Sequence, residues 1–117
     1  MFQIDLLSRT PIYEQLYNNI VQLILKGALK ENEQLPSVRA LAKELSVNPN
    51  TVQKAFQELE RNHFIYTVAG RGNFVAVINR EELMKKSLEN IKVAVQEAIK
   101  AGVNKEEIIQ FVQEMDD

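Results

Sequence analysis

The run Ser46-Val47-Asn48-Pro49 places the strongest constraint on the fold, because it ends one helix and starts another within four residues. Asn48 is a favoured N-cap, and Pro49 suits the first helical position, where its φ is already helical and no N–H is needed. The preceding helix is short and begins at Ser37, another favoured N-cap. Because only a tight turn can join helices so closely spaced, the sequence predicts a helix-turn-helix.

The helix after this turn is predicted to run from Pro49 to about Arg61 and to have two different faces. Apolar residues at helical spacing predict its buried face: Val52, Ala55, Phe56 and Leu59. At roughly 100° per residue, amides and basic residues lie on the opposite face. They are Asn50, Gln53, Lys54, Gln57 and Arg61. We therefore expect one side to pack against a core and the other to meet solvent or a partner.

A further helix is predicted before the helix-turn-helix, with Thr10 as N-cap, Pro11 in the first turn and Gly27 at its end. Its core stripe is predicted to be Ile12, Leu16, Ile20 and Leu23. Tyr13 and Tyr17 flank that stripe and are interpreted as packing residues.

Two β-rich runs follow the third helix, residues 64–68 and 73–78, with a glycine-flanked basic turn between them. Helix, helix, tight turn, helix and hairpin are the elements of a winged helix-turn-helix. The sequence thus predicts a mostly α fold with a small β-hairpin, and a DNA-binding domain over residues 10–78.

Residues 80–117, called the tail below, are predicted to form two helices. An apolar stripe with spacings of 4, 3, 4 and 3 marks the first: Met84, Leu88, Ile91, Val95 and Ala98. Asn104 to Glu107 has the pattern of a capping box that starts the second. Because so small a first domain leaves this stripe without a partner, we assign the tail to dimerisation.

Charge and composition exclude several classes of function. The net charge is −2, but residues 1–79 carry +1 and the tail −3, so the acidity belongs to the tail. With no Cys, one His and no evident phosphate loop, we expect no enzyme, no metal site and no cofactor. Without a long apolar run or a secretory leader, we expect a cytoplasmic protein and no membrane partner.

The polar features suit contact with double-stranded DNA. Asn50 and Gln53 carry amides that match the edge of adenine, and Lys54 suits guanine or phosphate. Ser37 and Arg39 begin the preceding helix, where a hydroxyl, free backbone N–H groups and a guanidinium could hold one phosphate. A simple cap and a solvated arginine remain the alternatives there. The hairpin tip, Gly70-Arg71-Gly72, is compatible with backbone contact or with an ordinary turn.

The chain resembles the GntR family of bacterial regulators, in particular the short YtrA-like subfamily, from Pro11 to about Val77. Four motifs carry this resemblance: Pro11-Ile12-Tyr13-Glu14-Gln15, Leu35-Pro36-Ser37-Val38-Arg39-Ala40-Leu41-Ala42, Val47-Asn48-Pro49-Asn50-Thr51-Val52 and Gly70-Arg71-Gly72-Asn73-Phe74-Val75. The resemblance implies an operator-binding homodimer, usually a repressor. Two-fold pairing would present two recognition helices to half-sites of the same symmetry, so we expect a palindromic operator. The resemblance also implies DNA contacts at Arg39, Asn50, Thr51, Gln53, Lys54 and Gly70 to Gly72.

The sequence departs from the family's usual pattern at three positions. Asn32 and His63 stand where relatives commonly have Gly, and both residue types tolerate the left-handed conformation that such turns need. Ala69 replaces a basic or polar residue, which lowers the expected phosphate affinity of the hairpin. A winged helix that binds protein instead of DNA is the alternative function. A small-molecule effector has no support in the sequence.

Overall fold

The computed structural model describes residues 2–116, which form five helices and one two-stranded antiparallel sheet. The chain divides into two compact units, the first ending at Ile78 and the second starting at Asn79. In chain order the elements are α1 (Ile12–Leu25), α2 (Val38–Leu45), α3 (Pro49–Arg61), β1 (Ile65–Val68), β2 (Gly72–Val75), α4 (Arg80–Lys100) and α5 (Lys105–Glu114). This order confirms the predicted winged helix-turn-helix followed by two helices.

Helix α3 lies at the centre of the first unit, where it packs against α1, α2 and β1. Its predicted core residues are all buried: Val52, Ala55, Phe56 and Leu59. Leu16 and Ile20 of α1 and Leu41 of α2 are fully buried around them. Ile12 and Leu23, at the two ends of the predicted stripe, are only half-buried, and Ile24 is buried in place of Leu23, so the stripe was right only at Leu16 and Ile20.

The turn between α2 and α3 has the predicted compact geometry. Ser46 takes the left-handed conformation at the end of α2, with φ of 56°. The Val47 N–H then donates to the Ala42 carbonyl at 3.0 Å, and the Asn48 side chain accepts from the Asn50 N–H at 2.8 Å. These bonds satisfy backbone groups that two adjoining helix ends would otherwise leave unpaired. The polar start of α3 is thereby held close to the end of α2.

The predicted cap of α1 was wrong. Pro11, with extended ψ of 145°, occupies the N-cap position, and no side chain caps the helix. The carbonyl of Thr10 instead accepts a hydrogen bond from Gln15 Nε2 at 2.8 Å. The same amide nitrogen donates to the Asp5 carbonyl at 3.0 Å, so Gln15 ties the segment before the helix to the first turns of α1.

Tyr17 has the packing role predicted for it. Its ring meets Phe64 edge-on with 6.2 Å between the centroids, and its hydroxyl accepts from Asn62 Nδ2 at 2.9 Å. Edge-to-face pairing brings the positive edge of one ring to the negative face of the other. The contact therefore links α1 to the end of α3 and the start of β1.

The hairpin pairs Ile65 with Val75 and Val68 with Gly72. Strand β2 ends at Val75, three residues short of the predicted end, although the Ala76 N–H still donates to the Phe64 carbonyl at 2.9 Å. Residues 32–35 run along the other edge of β2. The Leu35 N–H donates to the Asn73 carbonyl, and the Asn32 N–H donates to the Val75 carbonyl, at 2.9 and 2.8 Å. Strand β2 is therefore hydrogen-bonded along both of its edges, by β1 and by residues 32–35.

Asn32 and His63 adopt the left-handed conformation expected where relatives have glycine, with φ of 64° and 63°. Asn32 also accepts a hydrogen bond from the Tyr66 hydroxyl at 2.8 Å, which ties its turn to β1. The two substitutions thus preserve the turns, as predicted.

The second unit consists of α4 and α5. Asn79 caps α4, and Asn104 and Glu107 form the predicted capping box at the start of α5. Neither helix has a buried residue. Leu83, Val95 and Ile108 are half-buried, and the other large apolar side chains are between 42% and 67% exposed. None of the helices within residues 2–116 has both the length and the apolar character needed to cross a membrane.

Candidate nucleic-acid interface

The outward side of α3 carries the amide and basic residues that the sequence placed there. Asn50, Gln53 and Lys54 are exposed, and Thr51 at the edge of this side is half-buried. We call this surface the polar face of α3. Because Val52 and Ala55 of the same turns are buried in the core, the helix is anchored with these side chains directed outward. A rigid element thus presents donors and acceptors at the spacing of a helical turn.

The start of α2 brings Ser37 and Arg39 to the surface. The Ser37 hydroxyl oxygen accepts from the Ala40 N–H at 3.0 Å, so the predicted cap is present. A hydroxyl that accepts through oxygen retains its own hydrogen for donation. Arg39 is exposed within the first turn of the same helix. The hydroxyl and the guanidinium thus both lie at the exposed first turn of α2, where the helix dipole is positive.

An open groove of about 400 Å³ lies between the start of α1 and the first half of α3. It is lined by Pro11, Ile12, Tyr13, Asn50, Thr51 and Lys54. Lys54 Nζ lies 3.9 Å from the centroid of the Tyr13 ring, within the range of a cation–π contact. The sequence pattern assigned Tyr13 to packing and did not predict this contact. The only signal for it was that Tyr13 lies beside the core stripe of α1 and not within it.

The tip of the hairpin, residues 70–72, is supported by a residue that the sequence pattern did not single out. Gln34 donates from Nε2 to the Arg71 carbonyl at 2.7 Å. Gly70 and Gly72 have φ of 76° and 121°, so the turn uses the conformational freedom of glycine. Arg71 is exposed at this tip. The carbonyl of Arg71 is held in place while its side chain faces solvent.

The structure brings some of the predicted contact residues together and not others. Asn50, Thr51 and Lys54 share the groove, whereas Gln53, the start of α2 and the hairpin tip are not among its lining residues. Arg61 forms an ion pair with Glu58 one turn earlier on α3. This ion pair holds the Arg61 guanidinium against its own helix.

No group of three or more His, Cys, Asp or Glu side chains among residues 2–116 is arranged to hold a metal ion. The surface described above contains amides, hydroxyls and cations, which bind by hydrogen bonding and charge.

Helix-turn-helix, hairpin and polar helix face together define a winged helix-turn-helix protein. The model of the gntR family of bacterial regulatory proteins matches residues 12–75. The chain belongs to this family.

Individual proteins of known function or structure are similar to nearly the whole chain, and those described below are also transcription regulators. The chain is 40% identical to the HTH-type transcriptional repressor YtrA of Bacillus subtilis (strain 168), covering 98% of this chain and 92% of that protein. It is also similar to the structure of a transcriptional antiterminator from Listeria monocytogenes EGD-e. That similarity has a TM-score of 0.69 and 39% identity, and covers 97% of this chain and 88% of the other.

One solved structure that is similar to part of this chain includes DNA. AraR(DBD) in complex with operator ORE1 matches with a TM-score of 0.56 and 26% identity, covering 65% of this chain and 93% of the other. The same fold in AraR therefore forms a complex with an operator.

Proposed function

We propose that this protein is a sequence-specific DNA-binding transcription regulator that acts as a repressor. The observation that carries the proposal is the polar face of α3, where Asn50, Gln53 and Lys54 are exposed on the second helix of the helix-turn-helix. In this architecture that helix enters the major groove and its N-terminal residues contact base edges. Similarity to the repressor YtrA over almost the whole chain supports the regulatory role.

Three sets of residues have separate tasks in this proposal. Asn50, Gln53 and Lys54 read base edges, with Thr51 at their border. Ser37 and Arg39 hold a backbone phosphate and so set the register of α3 on the duplex. The hairpin tip, Gly70 to Gly72, approaches the backbone beside the groove, with Arg71 supplying charge.

The tail would pair two copies of the chain. Most of its large apolar side chains are exposed along both α4 and α5, and burying them against a second copy would remove that surface from water. A two-fold dimer presents two recognition helices with the same symmetry, which requires a palindromic operator. The proposal also places the protein in the cytoplasm, where bacterial DNA lies.

Footprinting tests the proposal directly. The purified protein is titrated onto the DNA immediately upstream of its own gene, with a shuffled duplex of equal length as control. We expect a protected region with two symmetric halves, binding that weakens steeply with salt, and no protection of the control. Absence of salt-sensitive duplex binding would favour the alternative, a winged helix that binds protein.

A further inference from the structure

A charged side chain of the polar face of α3 rests on an aromatic ring of α1. Lys54 Nζ lies 3.9 Å from the Tyr13 ring centroid, and an ammonium within about 6 Å is attracted to the negative face of the ring. Both residues line the groove that also contains Asn50 and Thr51. The contact therefore lies inside the surface to which we assign DNA binding.

We propose that Tyr13 is a positioning residue for DNA recognition, which holds the Lys54 ammonium over its ring and so determines where that charge meets the acceptor atoms of DNA. This inference rests on the proposed function. It extends the recognition surface from α3 to the first turn of α1, where the sequence pattern predicted only packing.

The physical reason is preorganisation. An exposed lysine has a flexible stem and loses rotamer freedom when a ligand fixes its ammonium. A ring that already restrains Lys54 in the free protein reduces that loss on binding. The ammonium has three N–H donors, and the ring covers only one side of it. The remaining donors are available to a phosphate oxygen or to a guanine edge.

The position of Tyr13 is itself well determined. It lies in the first turn of α1, which is held against α3 by the buried Leu16 and Ile20 and joined to the preceding segment by Gln15. The ring is half-buried in the groove wall. Because the Tyr13 ring is held by its own helix, the contact restrains the flexible Lys54 side chain and leaves the ring in place.

The first test is a set of substitutions at Tyr13 measured on a duplex that the wild-type protein selects from a random-sequence DNA library. Tyr13→Phe keeps the ring, and Tyr13→Leu keeps apolar bulk without it. Each is measured alone and together with Lys54→Met, which keeps the stem and removes the charge. Thermal unfolding of every variant reports whether the fold is retained.

We expect Tyr13→Leu to weaken binding about two- to five-fold for each engaged protomer, the scale of an exposed cation–π contact. Tyr13→Phe should bind like wild type, and Tyr13→Leu should have no further effect when Lys54→Met is present. A loss with Tyr13→Phe equal to that with Tyr13→Leu would assign the effect to the hydroxyl and overturn the inference. If Tyr13→Leu weakened DNA binding equally with and without Lys54→Met, the inference would also be overturned, since Tyr13 would then act through packing and not through Lys54.

A second measurement needs no DNA and separates this inference from the proposed function. Ring currents shift the ε-methylene protons of Lys54 upfield in the NMR spectrum when the stem end lies over an aromatic face. We expect this shift in wild type and Tyr13→Phe and its loss in Tyr13→Leu. Its absence in wild type would refute the contact, whereas a shifted resonance in a protein that binds no library duplex would refute the role in DNA recognition together with the proposed function.

Discussion

Gln34 and Arg71 are 37 positions apart in the chain, and the Gln34 side chain donates a hydrogen bond from Nε2 to the Arg71 carbonyl at 2.7 Å. The main chain of Gln34 also forms a bridge to Phe74 of β2. The segment that leads into α2 thus supports the tip of the hairpin through both its backbone and its side chain. The segment before α2 and the hairpin after α3 are therefore joined by hydrogen bonds.

Removing the donor of this bond should loosen the hairpin tip. Gln34→Met keeps the length of the side chain and loses the N–H, so the local stability is expected to fall by about 0.5–1.5 kcal/mol. Hydrogen exchange of the Arg71 amide, which donates to the Val68 carbonyl at 2.9 Å, reports this opening. The Leu41 amide in α2 serves as internal control and should exchange unchanged. Equal exchange at Arg71 in both proteins would contradict the assignment.

Gly72 should tolerate alanine less well than Gly70 does. A Cβ on Gly72 would lie 3.0 Å from Gln34 Nε2 at φ of 121°, whereas a Cβ on Gly70, at φ of 76°, meets nothing within 4 Å. We expect Gly72→Ala to lower the free energy of unfolding by about 2–3 kcal/mol and Gly70→Ala by about 1 kcal/mol. Urea denaturation measures both. Equal losses would show that neither the φ of 121° nor the closeness of Gln34 makes Gly72 more demanding than Gly70.

Arg39→Ala should weaken binding to selected and random duplexes alike. A guanidinium that neutralises a phosphate acts by counterion release, so the salt slope should also fall by about 0.9 for each phosphate that is no longer neutralised. Lys43→Ala removes an exposed charge from the same helix and is the matched control. Titrations at several salt concentrations give both quantities. If Arg39→Ala and Lys43→Ala had the same small effect, Arg39 would be a solvated surface residue.

Gln53→Ala should act selectively. Removing an amide that reads a base edge is expected to cost about 1–3 kcal/mol on the selected duplex and little on a shuffled one. Gln57, one turn later on the same helix and also exposed, provides a control of the same residue type. Competition titration of both duplexes measures the difference. A uniform weakening on the two duplexes would move Gln53 to the residues that bind the backbone.

Charge placed on the apolar stripe of α4 should prevent pairing of two chains. Leu88 is 56% exposed, and Leu88→Glu would put a carboxylate into the proposed dimer interface. Lys86→Glu introduces the same side chain on the opposite side of the helix and should be without effect. We expect Leu88→Glu to give a monomer by sedimentation velocity and on the order of 10²-fold weaker binding to a duplex with two half-sites.

A variant that ends at Asn79 provides the second arm of this test. Every buried apolar residue of the described chain precedes Asn79, so the winged helix should remain folded. It should sediment as a monomer and bind a single half-site as the full chain does. A truncated protein that stayed dimeric would overturn the assignment of the tail.

Much of the fold was predictable because its signals are local. The break at Ser46 to Pro49, the cap at Ser37 and the capping box at Asn104 each depend on neighbours within a few residues. The buried and exposed faces of α3 follow from helical periodicity alone. Local signals failed at Thr10, because Pro11 and not this favoured N-cap residue occupies the N-cap position, and no side chain caps the helix.

By itself the sequence determined the order of the elements, their principal caps and which side of α3 faces outward, since the chain encodes these over one or two helical turns. Only the tertiary structure decided which distant residues support the polar face and the hairpin. Lys54 meets Tyr13 because α1 packs beside α3, and Gln34 meets Arg71 because residues 32–35 lie along β2. Such contacts arise from the packing of whole elements, and no periodicity within either partner specifies them.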